Sequence, residues 1–403
     1  MKNILLLTNE YPNPDPDYDT PVVHYFTKEW CKIGYKVKVI HYRSVFPIIY
    51  YWIANLFTKQ IKRFFETDVL PTKRRNKDYT FYKDGVLVYS FPIFKFLPHG
   101  RYKKKTINKH LEKILALNNK DNFVPDIIIG HFYNPEIEII TKLKQYYPKA
   151  QTCIVLHENP EILKKTYIKE YLALLNDINV WGFRSKALKE KFEMLYGKNY
   201  DTFICSSGVP QEYISLYQAD KRFENKVKKF CYVGMFIPRK RVSDIITALH
   251  KAFPLKDFEL DIVGEGMERE NLFLLTQRLE LQSNVKFHGN LQRDELQTIM
   301  DNADCFIMVS ESEAFGLVYL EAMAKGCITI GTRGEGIDGV IQHGLNGFLC
   351  EARNSDQLSE IIVNINSLSQ EKLTEISKMA IETAQEMTDS KVADRYLKNV
   401  LSN

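Results

Sequence analysis

Ser310-Glu311-Ser312-Glu313-Ala314-Phe315-Gly316-Leu317-Val318-Tyr319-Leu320-Glu321-Ala322-Met323-Ala324-Lys325-Gly326 follows an apolar strand, Cys305 to Val309, and opens a helix that Gly326 ends. A helix N-terminus presents unpaired N–H groups and a partial positive charge, so the turn around Phe315, Gly316 and Leu317 is suited to a diphosphate. Gly316 lets the backbone approach such a ligand closely. Glu313 stands in the loop and Glu321, eight residues on, two turns into the helix. Carboxylates so placed can accept hydrogen bonds from the hydroxyls of a sugar and of a ribose. An isolated acid pair would ordinarily be a capping acid and a solvated helix residue, so the surroundings must choose.

Outward from this segment, short β-rich runs alternate with longer helical patterns. In the C-terminal half the runs are Phe230 to Val233, Leu260 to Val263, Val285 to His288, Cys305 to Val309, Ile328 to Gly331 and Phe348 to Cys350. In the N-terminal half they are Ile4 to Thr8, Val37 to Ile40, Val86 to Phe91, Ile127 to Ile129, Thr152 to Leu156, Val180 to Phe183 and Thr202 to Cys205. Runs apolar on consecutive residues belong to strands covered on both faces, as in a parallel sheet flanked by helices. The polar, Lys-rich Gln211 to Lys229 separates the two series as a linker. The expected architecture is two doubly wound α/β domains, with ligands at the carboxyl ends of the strands in a cleft between them. Gln370 to Leu401 reads as two helices parted at Thr388-Asp389-Ser390, the last returning to the first domain.

Length and composition agree with this division. The chain has 403 residues, 45% apolar and 26% charged, values of a folded globular protein rather than a disordered or fibrous one. Fifty-five basic residues against 50 acidic leave a net charge of +5, too slight to indicate a nucleic-acid binder. The seven cysteines (Cys31, Cys153, Cys205, Cys231, Cys305, Cys327 and Cys350) are scattered without a Cys-x-x-Cys pair. They read as buried thiols in a reducing cytoplasm. Ile4 to Leu7 is too short for a signal peptide. Val45 to Phe57, broken by Pro47 and Asn55, is shorter than the ~20 residues a spanning helix needs.

Glu313 to Gly326 resembles, nearly residue for residue, the nucleotide-sugar motif of the retaining glycosyltransferases of family four (glycosyltransferase group 1), with its paired glutamates. Tyr232-Val233-Gly234 followed by Pro238-Arg239-Lys240 is similar to that family's strand-loop with a phosphate-binding lysine. Ile262-Val263-Gly264-Glu265-Gly266 and Val285-Lys286-Phe287-His288-Gly289 resemble its next strand-turns. Gly334-Glu335-Gly336-Ile337 and His343-Gly344-Leu345-Asn346-Gly347 resemble its closing segment. Pro125 to His131 looks like the strand that delivers an active-site histidine, and Ser207-Gly208-Val209 like the end of the N-terminal domain.

The resemblance implies a GT-B fold. An N-terminal acceptor-binding domain would span 1–209, joined by 388–403, and a C-terminal nucleotide-sugar domain 210–387. It implies transfer of a hexose-type sugar from a nucleotide diphosphate sugar, UDP-sugar ahead of GDP-sugar, to a hydroxyl of a glycan or lipid-linked acceptor of bacterial surface polysaccharide, with retained configuration and neither metal nor cofactor. His131, Lys240 and Glu313 would be catalytic. Gly234, Arg239, Arg241, Gly264, Gly289, Ala314, Phe315, Gly316, Leu317 and Glu321 would join Lys240 and Glu313 around the donor, and Asp17 and His157 would face the acceptor. The rival readings are a nucleotide-sugar epimerase or phosphorylase on the same plan and a non-catalytic scaffold in a glycan-assembly complex. A dehydrogenase is disfavoured because Gly264-x-Gly266 is followed by Arg269 where the fingerprint needs glycine.

Two departures stand out. Met235 occupies the place of the family's usual arginine, so Arg239 or Arg241 would have to supply that charge. Asn9 to Pro21 replaces a Gly-Gly loop. Within it Asp15, Asp17 and Asp19 alternate as in a calcium loop, but Thr20 and Phe26 stand where an EF-hand needs glycine and an acid. A last feature is an apolar-aromatic cluster, Val45, Phe46, Ile48, Ile49, Tyr50, Tyr51, Trp52, Ile53, Leu56 and Phe57, followed by Lys59, Lys62, Arg63, Lys73, Arg74, Arg75 and Lys77. Phe91, Phe94, Phe96 and Leu97 likewise precede Arg101, Lys103, Lys104 and Lys105. Such a pairing is what a peripheral element on an anionic membrane needs, the alternative being an insertion packed on the first domain.

Overall fold

The computed structural model describes residues 2–14, 20–58, 60–61, 73–96, 100–214, 223 and 226–402. The chain divides into two compact units. The first takes the described residues of 1–61 and 69–206 together with Asp389–Asn403, and the second takes Ser207–Thr388.

The sheet of the first unit runs, edge to edge, β3 (Tyr79–Lys83), β4 (Val86–Phe94), β2 (Lys36–Val45), β1 (Asn3–Thr8), β5 (Ile127–His131), β6 (Gln151–Leu156), β7 (Val180–Phe183) and β8 (Asp201–Ile204). All neighbours are parallel except β3, which forms an antiparallel hairpin with β4. Among the described strands, β3 is the one that apolar runs do not reveal. It is an edge strand of alternating half-buried and exposed residues, so its sequence need not be continuously apolar. The inner strands β1, β5 and β6 are buried nearly throughout, as strands covered on both faces must be.

The second unit carries a six-stranded, wholly parallel sheet in the order β11 (Val285–Gly289), β10 (Glu259–Val263), β9 (Lys229–Val233), β12 (Cys305–Ile307), β13 (Ile328–Thr332) and β14 (Phe348–Cys350). In each sheet the chain winds out to one side and then returns to wind out to the other. The order reverses between β1 and β5, where Thr8 pairs with His131, and between β9 and β12. Ligands of open α/β sheets bind outside the carboxyl ends at these switch points.

The helices Gln370–Glu386 and Asp389–Leu401 are separate, and the second returns to the first unit. There the Trp30 indole N–H donates to the Ala393 carbonyl at 3.0 Å, and Tyr396 packs edge-on against Phe26 and Trp30. All seven cysteines are free thiols, six of them buried and Cys31 half-buried. Phe223 and Val227, inside the expected linker, are buried, and the Val227 N–H donates to Asn366 Oδ1 at 2.8 Å, so this end of the segment is held to the second unit. Among the described residues no helix is long and apolar enough to cross a membrane.

Candidate active site

Three loops meet at the β9/β12 switch point. The Gly234 N–H donates to the Val263 carbonyl at 3.0 Å and the Gly264 N–H to the Gly289 carbonyl at 2.8 Å, so the three glycines stand side by side across three strand ends. A side chain at 264 would lie 1.9 Å from the Gly234 carbonyl oxygen, a distance no other residue can accept. After β9, Pro238–Lys240 forms one 3₁₀ turn. It delivers Lys240, 8% exposed, against Glu313, whose carboxylate contacts the ammonium. The Glu311 N–H donates to the Arg239 carbonyl at 2.7 Å, tying the loops after β9 and β12 together.

The loop after β13 holds the other side. The Glu335 carboxylate accepts the N–H groups of Ser312 and Glu313 at 2.9 and 2.8 Å, and the Gly336 N–H donates to the Glu313 carbonyl at 2.8 Å. A Cβ on residue 336 would fall 2.4 Å from Phe315 N, so the two loops touch backbone to backbone. Gly316, with φ +79°, then starts the helix Leu317–Ala324, and the Tyr319 hydroxyl donates to the Met308 carbonyl beneath it. Glu321 lies one turn into this helix rather than two, because the helix begins only at Leu317. Burial raises the Glu321 carboxyl against the opposing charge of Arg293, whose Nη2 is 3.8 Å from it. The Arg293 guanidinium in turn lies 4.9 Å over the Tyr213 ring.

At the β1/β5 switch point His131 is fully buried. One ring nitrogen, Nδ1, is 3.0 Å from His157 Nε2, and the other, Nε2, is 3.2 Å from the Tyr396 hydroxyl. Burial lowers both histidines well below the usual value, with the Arg184 charge adding to the effect. His131 is therefore a neutral link with both nitrogens engaged, and only His157, half-buried at the end of β6, reaches the surface of this unit. Phe132, whose ring stacks on His157 at 4.1 Å, has φ +74°, a strained conformation of the kind that gathers at functional sites. His131, expected as catalytic, thus meets His157 through one ring nitrogen and the Tyr396 hydroxyl through the other.

The structure thus brings Gly234, Arg239, Lys240, Gly264, Gly289, Glu313 to Leu317 and Glu321 to one sheet end. Of the two arginines that could replace the one missing at Met235, Arg239 approaches Glu313 at 3.9 Å. Arg241 is turned to Asp244 at 2.9 Å and Glu311 at 3.5 Å instead. Asp17, with Asp15 and Asp19, lies outside the described residues. Among the described residues no group of three or more His, Cys, Asp or Glu could hold a metal ion. Sequence reasoning missed the roles of Glu335, Arg293 and Tyr396. Glu335 lay between two glycines, a signal of a tight loop; Tyr396 is 265 residues from His131, beyond any local pattern.

Two such units, each with a site at its switch point, define the GT-B architecture. Residues 215–387, within the second unit, match the family Glycosyl transferases group 1. The chain is 36% identical over 138 residues to N-acetyl-alpha-D-glucosaminyl L-malate synthase of Bacillus anthracis, covering 34% of this chain and 36% of that protein. It is 28% identical over 296 residues to an uncharacterized glycosyltransferase of Methanocaldococcus jannaschii, covering 68% and 74%. The chain thus spans about a third of the first relative and three quarters of the second. The Anabaena protein HepE, solved in complex with UDP and glucose, shares the fold over the whole of both chains, with TM-score 0.68 at 17% identity.

Proposed function

We propose that the chain is a retaining glycosyltransferase that moves a hexose-type sugar from a nucleotide diphosphate sugar, a UDP-sugar first, to a hydroxyl of a glycan or lipid-linked acceptor. The observation that carries this reading is the pairing of buried Lys240 with Glu313 at the mouth of the helix Leu317–Ala324. Lys240, Arg239 and the helix N-terminus would hold the diphosphate, Glu313 a sugar hydroxyl and Glu321 the ribose. Transfer breaks the bond from the anomeric carbon to the diphosphate and forms one to the acceptor oxygen. The departing diphosphate takes the acceptor proton on the face it leaves. Stabilising negative charge on that leaving group is the main catalytic contribution, and no metal is required. UDP is put first because the similar HepE structure contains it.

The acceptor reading places the reaction in bacterial surface polysaccharide biosynthesis, at the cytoplasmic face of the membrane. Its support is the helix Ile48–Leu56, where Ile48, Ile49, Trp52 and Leu56 are 58–76% exposed while Tyr51 and Ala54 are buried on the opposite side. A helix apolar all round needs a second apolar neighbour. Lys73, Arg74, Lys77 and Lys103 to Lys105 are exposed cations on segments tied to the end of β2, where Arg43 donates to the Arg75 carbonyl at 3.2 Å and Ser44 Oγ is 3.0 Å from the Tyr102 hydroxyl. Lys59, Lys62, Arg63 and Leu97 lie outside the described residues. Val45, Phe46, Tyr51 and Phe91 belong to the core, and Arg101 is paired with Glu138 and Glu170, so the expected patch is smaller than its sequence.

A thermal-shift screen of nucleotide sugars, followed by product analysis with donor alone and with donor plus extracted lipid-linked glycans, tests the reading. Transfer only when acceptor is present supports it. A changed donor without acceptor favours the epimerase, and no turnover with any donor favours the scaffold.

A further inference from the structure

Beside Glu321 stands an arginine that the diphosphate and sugar contacts leave unused. Glu321 lies four residues into the helix Leu317–Ala324, roughly 6 Å along the axis from its N-terminus. That is the reach from a diphosphate held at the N-terminus to the hydroxyls of the ribose it carries. Arg293 Nη2 is 3.8 Å from Glu321 Oε1, with 48% of the arginine side chain exposed and 15% of the glutamate. This is too long for a hydrogen bond, so the two groups face each other as charges across a gap. The guanidinium carbon lies 4.9 Å over the Tyr213 ring, which covers one of its sides. Both residues are fixed by their own turns. Arg293 opens the helix Arg293–Asn302, where the Gln292 N–H donates to Glu295 Oε2 at 2.9 Å. Tyr213 closes the 3₁₀ turn Gln211–Tyr213, donating its N–H to the Pro210 carbonyl at 3.0 Å, and its neighbour Ile214 is buried. Asn290 to Gln292 alone separate Arg293 from Gly289, whose carbonyl accepts the Gly264 N–H at 2.8 Å.

A base leaves its ribose from the carbon next to the one that bears the 2′-hydroxyl, so a side chain facing a ribose-binding Glu321 stands beside the base. We propose, resting on the nucleotide-sugar reading above, that Arg293 reads the nucleobase, donating to a ring carbonyl oxygen of uracil or guanine and discriminating against adenine. The guanidinium carries five N–H donors and no acceptor, and it does not lose its proton. It therefore serves a base while still opposing the Glu321 charge. Uracil and guanine present carbonyl oxygens at the ring edge. Adenine presents an amino group and no carbonyl, which would set donor against donor. Stacking on Tyr213 holds the guanidinium plane in one orientation, and a group already held loses less freedom when its ligand arrives. The donor class is then a UDP- or GDP-sugar rather than an ADP-sugar.

The test is calorimetry on the full chain with UDP, GDP, ADP and inorganic pyrophosphate as probes, for the parent, Arg293→Ala and Arg293→Lys. The parent binds UDP or GDP about tenfold or more tighter than ADP. Arg293→Ala weakens the preferred nucleotide about tenfold, keeps ADP within about threefold and leaves pyrophosphate unchanged. Arg293→Lys restores a charge opposite Glu321 but not the planar fork, and it does not recover the preference. If Arg293→Ala does not fold, Arg293→Lys carries the test through the same ratio of preferred nucleotide to ADP. ADP bound as tightly as UDP and GDP by the parent, or an equal loss of ADP and the preferred nucleotide in Arg293→Ala, overturns the assignment. Full recovery in Arg293→Lys overturns it too, leaving Arg293 as a counter-charge to Glu321 and no more. Binding of none of the nucleotides refutes the nucleotide-sugar reading and the base assignment with it. Nucleotide binding that Lys240→Ala and Glu321→Ala weaken, with every ratio kept in Arg293→Ala, refutes the base assignment alone.

Discussion

The Lys240 and Glu313 side chains meet with only 10% and 14% of their surfaces exposed, so each holds the other and neither is replaceable by a surface charge. Lys240→Ala should lower turnover ~100-fold or more, the range for losing a group that stabilises the leaving charge. Steady-state kinetics check this, and an active variant would remove Lys240 from the diphosphate. The two glutamates should separate. Glu321→Ala is expected to weaken binding of the free nucleotide, whereas Glu313→Ala leaves that affinity and lowers turnover. Equal loss in calorimetry would defeat the division. Glu335→Gln should cost about tenfold in turnover through the loop, since an amide keeps one acceptor oxygen where the carboxylate uses two on Ser312 and Glu313. The glutamate pair was legible because loop, glycine and helix lie consecutively in sequence, and Lys240 because it follows its own strand and glycine, although it stands 73 residues from Glu313. Glu335 was not, because its partners are 22 and 23 residues away and only the folded β13 loop brings it back.

At the scale of elements, strands covered on both faces announced themselves as apolar runs, and the two sheets follow from them. Edge strand β3 escaped because one covered face suffices there. The helix Ile48–Leu56 shows the reverse limit: its apolar residues were plain, but which of them turn inward depends on the packing of Tyr51 and Ala54. If its outer face meets a membrane, changing Trp52 and Leu56 to Ser should abolish flotation with anionic vesicles without lowering the melting temperature, since both are more than two thirds exposed. The parent's binding should weaken with salt. Unchanged flotation of the double variant would leave the helix without this role.

For the whole molecule, buried titratable groups set the response to pH. His24, His41, His110, His131 and His157 all belong to the first unit. Burial is the largest cause that lowers each of them, His110 to about 4 and His41 to about 3. A histidine neutral when folded and charged when unfolded contributes stability that is complete above about pH 6.5 and is lost as pH falls below it. Glu136, raised to about 8, acts in the opposite sense, contributing below about pH 4.5 and losing that contribution as pH rises through 8. Glu158, also raised by burial, acts in the same sense as Glu136; five histidines outweigh these two acids, so melting of the first unit should fall by ~5 °C or more between pH 7 and pH 5. Fluorescence isolates this unit, because Trp30, Trp52 and Trp181 are the chain's three tryptophans and all lie within it. A melting temperature flat or rising toward pH 5 would contradict the burial of these rings.

Around Lys240, Glu313 and Glu321 the loops of the second unit are proposed to hold a nucleotide diphosphate. Calorimetry of UDP, GDP and ADP on the full chain without added metal tests it most directly. One of them, UDP first, is expected to bind one per chain, and both Lys240→Ala and Glu321→Ala should weaken this binding about tenfold or more. Binding of none of the three, or affinity indifferent to both substitutions, would contradict it.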